Sequence, residues 1–154
     1  MARPKAENLV TQSLLDRLID VDDWPNTRAS SMRMYRDSLK RDVEWLLNTR
    51  RPAIPNLQGL PRACASVLNF GLPDINSFTG SADRDDNALM LALVQTLRDY
   101  EPRIQAPRVS MVRNDSASRH IRFHIDGRIV FDSVPEDISF DTVLELSSGE
   151  YEVK

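Results

Sequence analysis

The sequence predicts an α+β fold in a single domain, with N-terminal helices packed on a C-terminal, mainly antiparallel sheet. Apolar residues recur at steps of three and four through the first hundred positions, and after Pro107 they alternate with polar ones. Helices first and strands later is the α+β pattern. With 154 residues, 41% hydrophobic and 28% charged, the chain can bury a core of its own without disulfides.

The first eight residues have no apolar pattern and are expected to be flexible, the folded body running from residue 9 to 154. Leu14, Leu15, Leu18 and Ile19 predict a short amphipathic helix ending near Asp20. Pro25 disfavours helix at Trp24, so the chain turns there, and Ser30 or Ser31 can cap the next helix. Met32, Tyr35, Leu39, Val43 and Leu46 form the core stripe of that helix, with Arg33, Arg36, Lys40 and Arg41 off it. Pro52 and Pro55 end it. Pro61 suits the first turn of a short helix through Ala63 to Leu68, and Gly71 is its natural stop.

Residues 77–86 read as a loop that delivers an aspartate cap to a long helix, whose stripe is Leu89, Met90, Leu93, Val94, Leu97 and Tyr100. Pro102 limits its end. In the C-terminal third, Val109 and Met111, then Ile121, Phe123 and Ile125, then Ile129 and Phe131 predict strands. A three-residue loop at Ile125, Asp126 and Gly127 would make a hairpin pairing Phe123 with Ile129 and Ile121 with Phe131. Phe140, Thr142, Leu144 and Leu146 predict a further strand, and Ser148-Gly149 turns the chain into a last one holding Tyr151 and Val153.

Net charge is −3, which argues against nucleic-acid binding, and it is unevenly spread: +2 through Asn114 and −5 from Asp115 onward. A solvated acidic face is the more frequent meaning of such a bias, and docking onto a basic partner is the other. No apolar run is long enough for a bilayer, and no secretory signal is visible after the basic Met1–Lys5 stretch. One cysteine, Cys64, makes neither a disulfide nor a thiolate metal site, which fits a cytoplasmic setting.

Catalytic readings find little to hold. A glycoside hydrolase needs two carboxyl groups flanking a cleft, one kept protonated; Glu44 beside Trp45 and Glu101 after Tyr100 have the aromatic neighbours, yet nothing selects them as a pair. His120 and His124 share one strand face without a third ligand, so no metal is expected. The five glycines are scattered and form no phosphate loop, and no cofactor is implied. Glu101-Pro102-Arg103 remains, a helix exit in which a rigid proline fixes how an acid and a planar guanidinium project.

Four phrases stand in order along the chain: Ser38 to Arg50, ending Leu46-Leu47-Asn48-Thr49-Arg50; Ser66 to Asp74, with Asn69-Phe70-Gly71-Leu72-Pro73; Tyr100-Glu101-Pro102-Arg103-Ile104; and Phe140 to Leu146 with the Ser-Ser-Gly turn after it. Together they resemble the TssE subunits of type VI secretion baseplates, within a phage baseplate-wedge family that bears a lysozyme-like name but whose type VI members are regarded as structural. The resemblance implies a non-enzymatic subunit that joins TssF, TssG and TssK in a wedge docked at the inner membrane through partners. It also implies a link to the contractile sheath and a part in starting sheath polymerisation. On that reading Glu101, Pro102 and Arg103 meet baseplate neighbours, and the backbone of the last strand, at Tyr151 and Val153, is offered for strand exchange with sheath. A peptidoglycan hydrolase and an adaptor outside any secretion machine are the competing classes.

Overall fold

The computed structural model describes residues 9–18, 24–54, 59–74, 82–112, 120–131, 134–145 and 148–154. The segment expected to be flexible, residues 1–8, lies outside them, as do Ile19, Leu146 and residues 77–81 of the loop expected over 77–86; residues 82–86 are not loop but the first turn of a helix that begins at Ala82, ahead of the aspartates expected to cap it. The chain divides into two compact units, Met1–Asp42 and Val43–Lys154.

In the first unit, helix α1 spans Leu14–Leu18 and helix α2 begins at Arg28, running to Asn48. The α1 stripe is not a core stripe: Leu14 and Leu18 are 70% and 74% exposed, and Asp16 between them is the buried residue at 7%. The reason is polar. Ser13 and Ser38 donate to Asp16 Oδ2 at 2.6 and 2.5 Å, and Arg41 Nη1 pairs with Oδ1 at 2.8 Å. Burial alone would raise this carboxyl, but those three partners outweigh it and hold it below the ordinary aspartate value. Helix α2 starts earlier than the serines suggested. Thr27 is the cap: Ser30 N–H donates to Thr27 Oγ1 and Thr27 N–H to Ser30 Oγ, each at 3.2 Å, a reciprocal box with serine in the usual glutamate's place. Ser31 is instead buried in the first turn, where its hydroxyl accepts from Val10 N–H and donates to the Arg28 carbonyl.

In the second unit, Val43, Leu46 and Leu47 from the last turns of α2 are buried, as the stripe predicted for the first two. Pro61 opens helix α3, Pro61–Cys64, but the expected continuous helix to Leu68 is broken. Ser66 is extended and its hydroxyl caps a separate 3-10 turn, Val67–Asn69, by accepting from Leu68 N–H. Helix α4 spans Ala82–Tyr100 and buries Leu89, Leu93, Thr96 and Leu97 along one face.

The sheet has four strands, β1 (Gln105–Val112), β2 (His120–Phe131), β3 (Val134–Glu145) and β4 (Tyr151–Val153), antiparallel throughout and in that spatial order. Its apolar face carries Phe123, Ile125, Ile129, Ile138, Phe140, Thr142, Leu144, Tyr151 and Val153, all buried. The helices-then-sheet, α+β reading therefore holds. The hairpin at Asp126-Gly127 does not: β2 runs straight through Gly127, which pairs with Ile138, and Ile129 lies opposite Glu136. Phe131 pairs with Val134, and residues 132–133, which join the two strands, lie outside the described residues. Gly127 serves a close approach rather than a turn. A Cβ there would stand 2.3 Å from Ile104 Cγ2, in the segment that leads into β1.

Candidate partner interface

Three of the four sequence phrases are joined by hydrogen bonds into two knots in the second unit. Thr49, at the end of the first phrase, accepts from Leu72 N–H at 2.8 Å, and Arg51 N–H donates to the Leu72 carbonyl at 2.9 Å, a short parallel bridge between the two segments. Gly71 makes this approach possible. Its φ is +98°, and a Cβ would lie 2.2 Å from the Thr49 carbonyl oxygen, so no other residue fits. The second knot ties α4 to α3. The Tyr100 hydroxyl donates toward the carbonyls of Cys64 and Ser66 at 3.2 and 3.0 Å, and its ring meets Phe70 edge-on at 5.2 Å. Cys64 is half-buried in this packing.

Glu101 and Arg103 do not project as two separate charges. Glu101 is 4% exposed, and Arg103 folds back onto it: Nε reaches Oε1 at 2.6 Å and Nη2 reaches Oε2 at 2.5 Å, a two-point fork. The Arg103 backbone N–H also donates to Oε1, and Ile104 N–H to the Glu101 carbonyl, so the tripeptide is a closed turn with Pro102 exposed at its tip. The turn leads from α4 into β1, an edge strand, through Ala106 at φ +49° and a register shift between Gln105 and Arg108.

Tyr151 and Val153 lie on β4, at the other edge of the same sheet, about 14 Å away by three strand spacings. Their side chains are core, each 2% exposed, so only their backbone can serve a partner. The Tyr151 ring packs beside Phe123, Arg50 lies over it at 5.7 Å, and burial, against the pull of Arg50, pushes its hydroxyl up to about 12. Glu145 N–H donates to the Glu150 carbonyl and Lys154 N–H to the Asp141 carbonyl, which by antiparallel alternation turns the N–H and C=O of Tyr151 and Val153 away from β3. At Tyr151 those outward groups are already taken. Asn48, the last residue of α2, accepts from Tyr151 N–H at 2.8 Å and donates to its carbonyl at 2.9 Å, as one residue of a neighbouring antiparallel strand would. Arg50 completes the clamp by donating to the Gly149 carbonyl at the hairpin turn, where Gly149 has φ +72°.

Beside this edge is an open groove of about 730 Å³ whose lining includes Glu44, Asn48, Arg50, His120, Glu145, Glu150 and Glu152. Its acids outnumber its one arginine. Of the two acids weighed for hydrolysis, Glu44 lines this groove, whereas both carboxylate oxygens of Glu101 are engaged by Arg103. His124 stands on the polar sheet face between Asp141 (Nδ1 to Oδ1, 2.8 Å) and Asp126 (Nε2 to Oδ1, 3.1 Å). The hydrogen bond to Asp141 and the nearby Asp126 raise its pKa. Among the described residues no group of three or more His, Cys, Asp or Glu is placed to hold a metal.

Asn48 and Arg50 are residues that sequence reasoning did not single out, and Gly71, expected only as a helix stop, serves the close approach to Thr49. Each stands inside a quoted phrase, but its partner lies far along the chain, 103 positions away for Asn48 and Tyr151.

Comparison with known proteins agrees with the phrases. No curated protein matches the chain. Among solved structures, a chain of "The baseplate complex from the type VI secretion system" superposes with a TM-score of 0.50 at 18% identity, covering 74% of this chain and 97% of its own length, a likeness of fold. The model of the family described as "Baseplate wedge protein gp25" matches residues 33–134, two thirds of the sequence and three of the four phrases in whole or in large part. The chain belongs to the baseplate wedge protein gp25 family, as its resemblance to the TssE-type subunits implied.

Proposed function

We propose that this protein is a non-enzymatic, structural subunit of a type VI secretion baseplate wedge, linking TssF, TssG and TssK to the contractile sheath and helping to start sheath polymerisation. Family membership over residues 33–134 carries the reading. The wedge domain extends on both sides of that match, over residues 9–154, and works in the cytoplasm in a baseplate held at the inner membrane by its partners. Among the described residues no helix is long and apolar enough to cross a membrane, which leaves membrane docking to those partners.

In this mechanism the two edges of the sheet have different tasks. Pro102 and the Glu101–Arg103 fork form a rigid tip beside β1 that orients the subunit on its baseplate neighbours. The backbone of β4, at Tyr151 and Val153, offers donors and acceptors to a strand of the first sheath subunit. Main-chain ladders distribute load over several hydrogen bonds, which suits a joint that must hold during contraction. The engagement of both Glu101 oxygens by Arg103 supports a structural role for that acid over a hydrolytic one.

The test is co-purification of the wild type and of the Glu101→Ala/Arg103→Ala variant from cells expressing TssF, TssG and TssK, with circular dichroism to verify folding. Capture by the wild type and loss by a folded double variant is the expected result. Capture of none of these proteins by the wild type would overturn the wedge assignment, and equal capture would confine the fork to an internal turn. Turbidity clearing of cell walls that is lost in Glu44→Gln would contradict the non-enzymatic reading.

A further inference from the structure

We infer that the Asn48 carboxamide is a displaceable latch on the β4 edge, holding the place of an extended, lysine- or arginine-bearing segment of a partner chain. The inference rests on, and deepens, the reading of β4 as the sheath-facing edge. A bare edge strand would invite pairing with any extended chain, and proteins usually blunt such edges. Here the blunting is done by a side chain. Asn48 makes the same two bonds to Tyr151, one accepted and one donated, that a partner strand would make. An arriving strand can therefore replace Asn48 bond for bond, and the exchange leaves neither the N–H nor the carbonyl of Tyr151 unmet. It then gains the outward N–H and C=O of Val153, which Asn48 does not cover.

The chemistry of the occupant follows from what lines its path. Glu44, Glu145, Glu150 and Glu152 border the groove along β4, against Lys154, which pairs with Glu152 at 3.1 Å, and Arg50, whose guanidinium is committed to the Leu47 and Gly149 carbonyls, so the acids remain in excess. Glu152 lies opposite Val143, on the polar face of the sheet, so a strand added beside β4 would bring every second side chain alongside these acids. Cationic side chains at those alternate positions complement them, and acidic ones are repelled. An extended acidic or neutral segment meets the same latch without that compensation.

The probe is an end-blocked nine-residue peptide of alternating valine and lysine, with a valine–glutamate peptide as control, titrated against the full-length protein. The wild type should bind the lysine peptide at least tenfold tighter than the glutamate one, and Glu150→Gln/Glu152→Gln should reduce that preference. Asn48→Ala should bind the lysine peptide about tenfold tighter than wild type, because nothing has to be displaced. Unchanged or weaker binding by a folded Asn48→Ala would overturn the latch and leave Asn48 a permanent cap. Should that variant fail to fold, Asn48→Asp keeps the acceptor for Tyr151 N–H and removes the donor, and a binding constant no tighter than wild type would equally overturn it. Amide exchange adds a readout in place. Peptide should protect the Val153 amide in the wild type, and no protection contradicts the proposal. These outcomes do not depend on sheath: peptide binding without capture of sheath subunits would refute the sheath assignment and keep the latch, and the converse would refute the latch alone.

Discussion

The two edges of the sheet are closed to stray pairing by different means. At β1 the blunting is built into the backbone: Pro107 has no N–H to offer, Ala106 is left-handed, and the register slips between Gln105 and Arg108. These features cannot be withdrawn. At β4 the strand is short and regular, and the outward groups of Tyr151 are covered by one side chain from α2. That cover can move. A permanently closed edge suits a fixed orienting contact, and a reversibly closed one suits a joint made only when the right strand arrives.

The difference should appear first in stability. Arg103→Ala leaves the nearly buried Glu101 charge without its fork, and a loss of about 3 kcal/mol is expected by chemical denaturation. Asn48→Ala removes two hydrogen bonds from a groove open to water, which can replace them in part, so about 1–2 kcal/mol is expected. Equal losses, or a larger one for Asn48, would break the contrast between a fixed edge and a movable one.

Between the edges, His124 supplies a smaller effect. Its folded pKa is raised, chiefly by Asp141, above its ordinary value of 6.5, so its pairing stabilises the fold fully below pH 6.5 and is lost as pH rises through the raised value. With the histidine 38% and Asp141 79% exposed, solvent screening limits this to no more than about 1 kcal/mol. Proton NMR should find the His124 titration shifted down in Asp141→Asn, with a flatter dependence of stability on pH above 6.5. An unchanged titration midpoint would show that Asp141 is not its cause.

The β1 side was more legible in the sequence than the β4 side, for a physical reason. The Leu89-to-Tyr100 stripe, Pro102 and the opposite charges of Glu101 and Arg103 are local signals, and they placed the helix exit correctly. They could not show that Arg103 turns back onto Glu101 instead of outward, because proline fixes the backbone and leaves the arginine rotamers open. Alternation identified β4, but alternation is blind to what lies beyond an edge, and the cover there comes from Asn48 at a helix end. Local grammar misled where tertiary contact reversed its meaning. Asp126-Gly127 has the composition of a turn, yet Gly127 lies within β2 because Ile104 presses on it. Leu14, Leu15 and Leu18 have the spacing of a buried stripe, yet the unit buries Asp16 with Ser13, Ser38 and Arg41 and leaves the leucines outside.

The division of labour between the edges is tested most directly by site-specific photocrosslinking in assembled baseplates. A photoreactive residue would replace Gln105, at the exposed start of β1, in one protein and Glu152, exposed on β4, in another. The account predicts that the Gln105 position captures TssF, TssG or TssK and that the Glu152 position captures the sheath subunit. Capture of the same partner from both positions, or the reverse assignment, would contradict it.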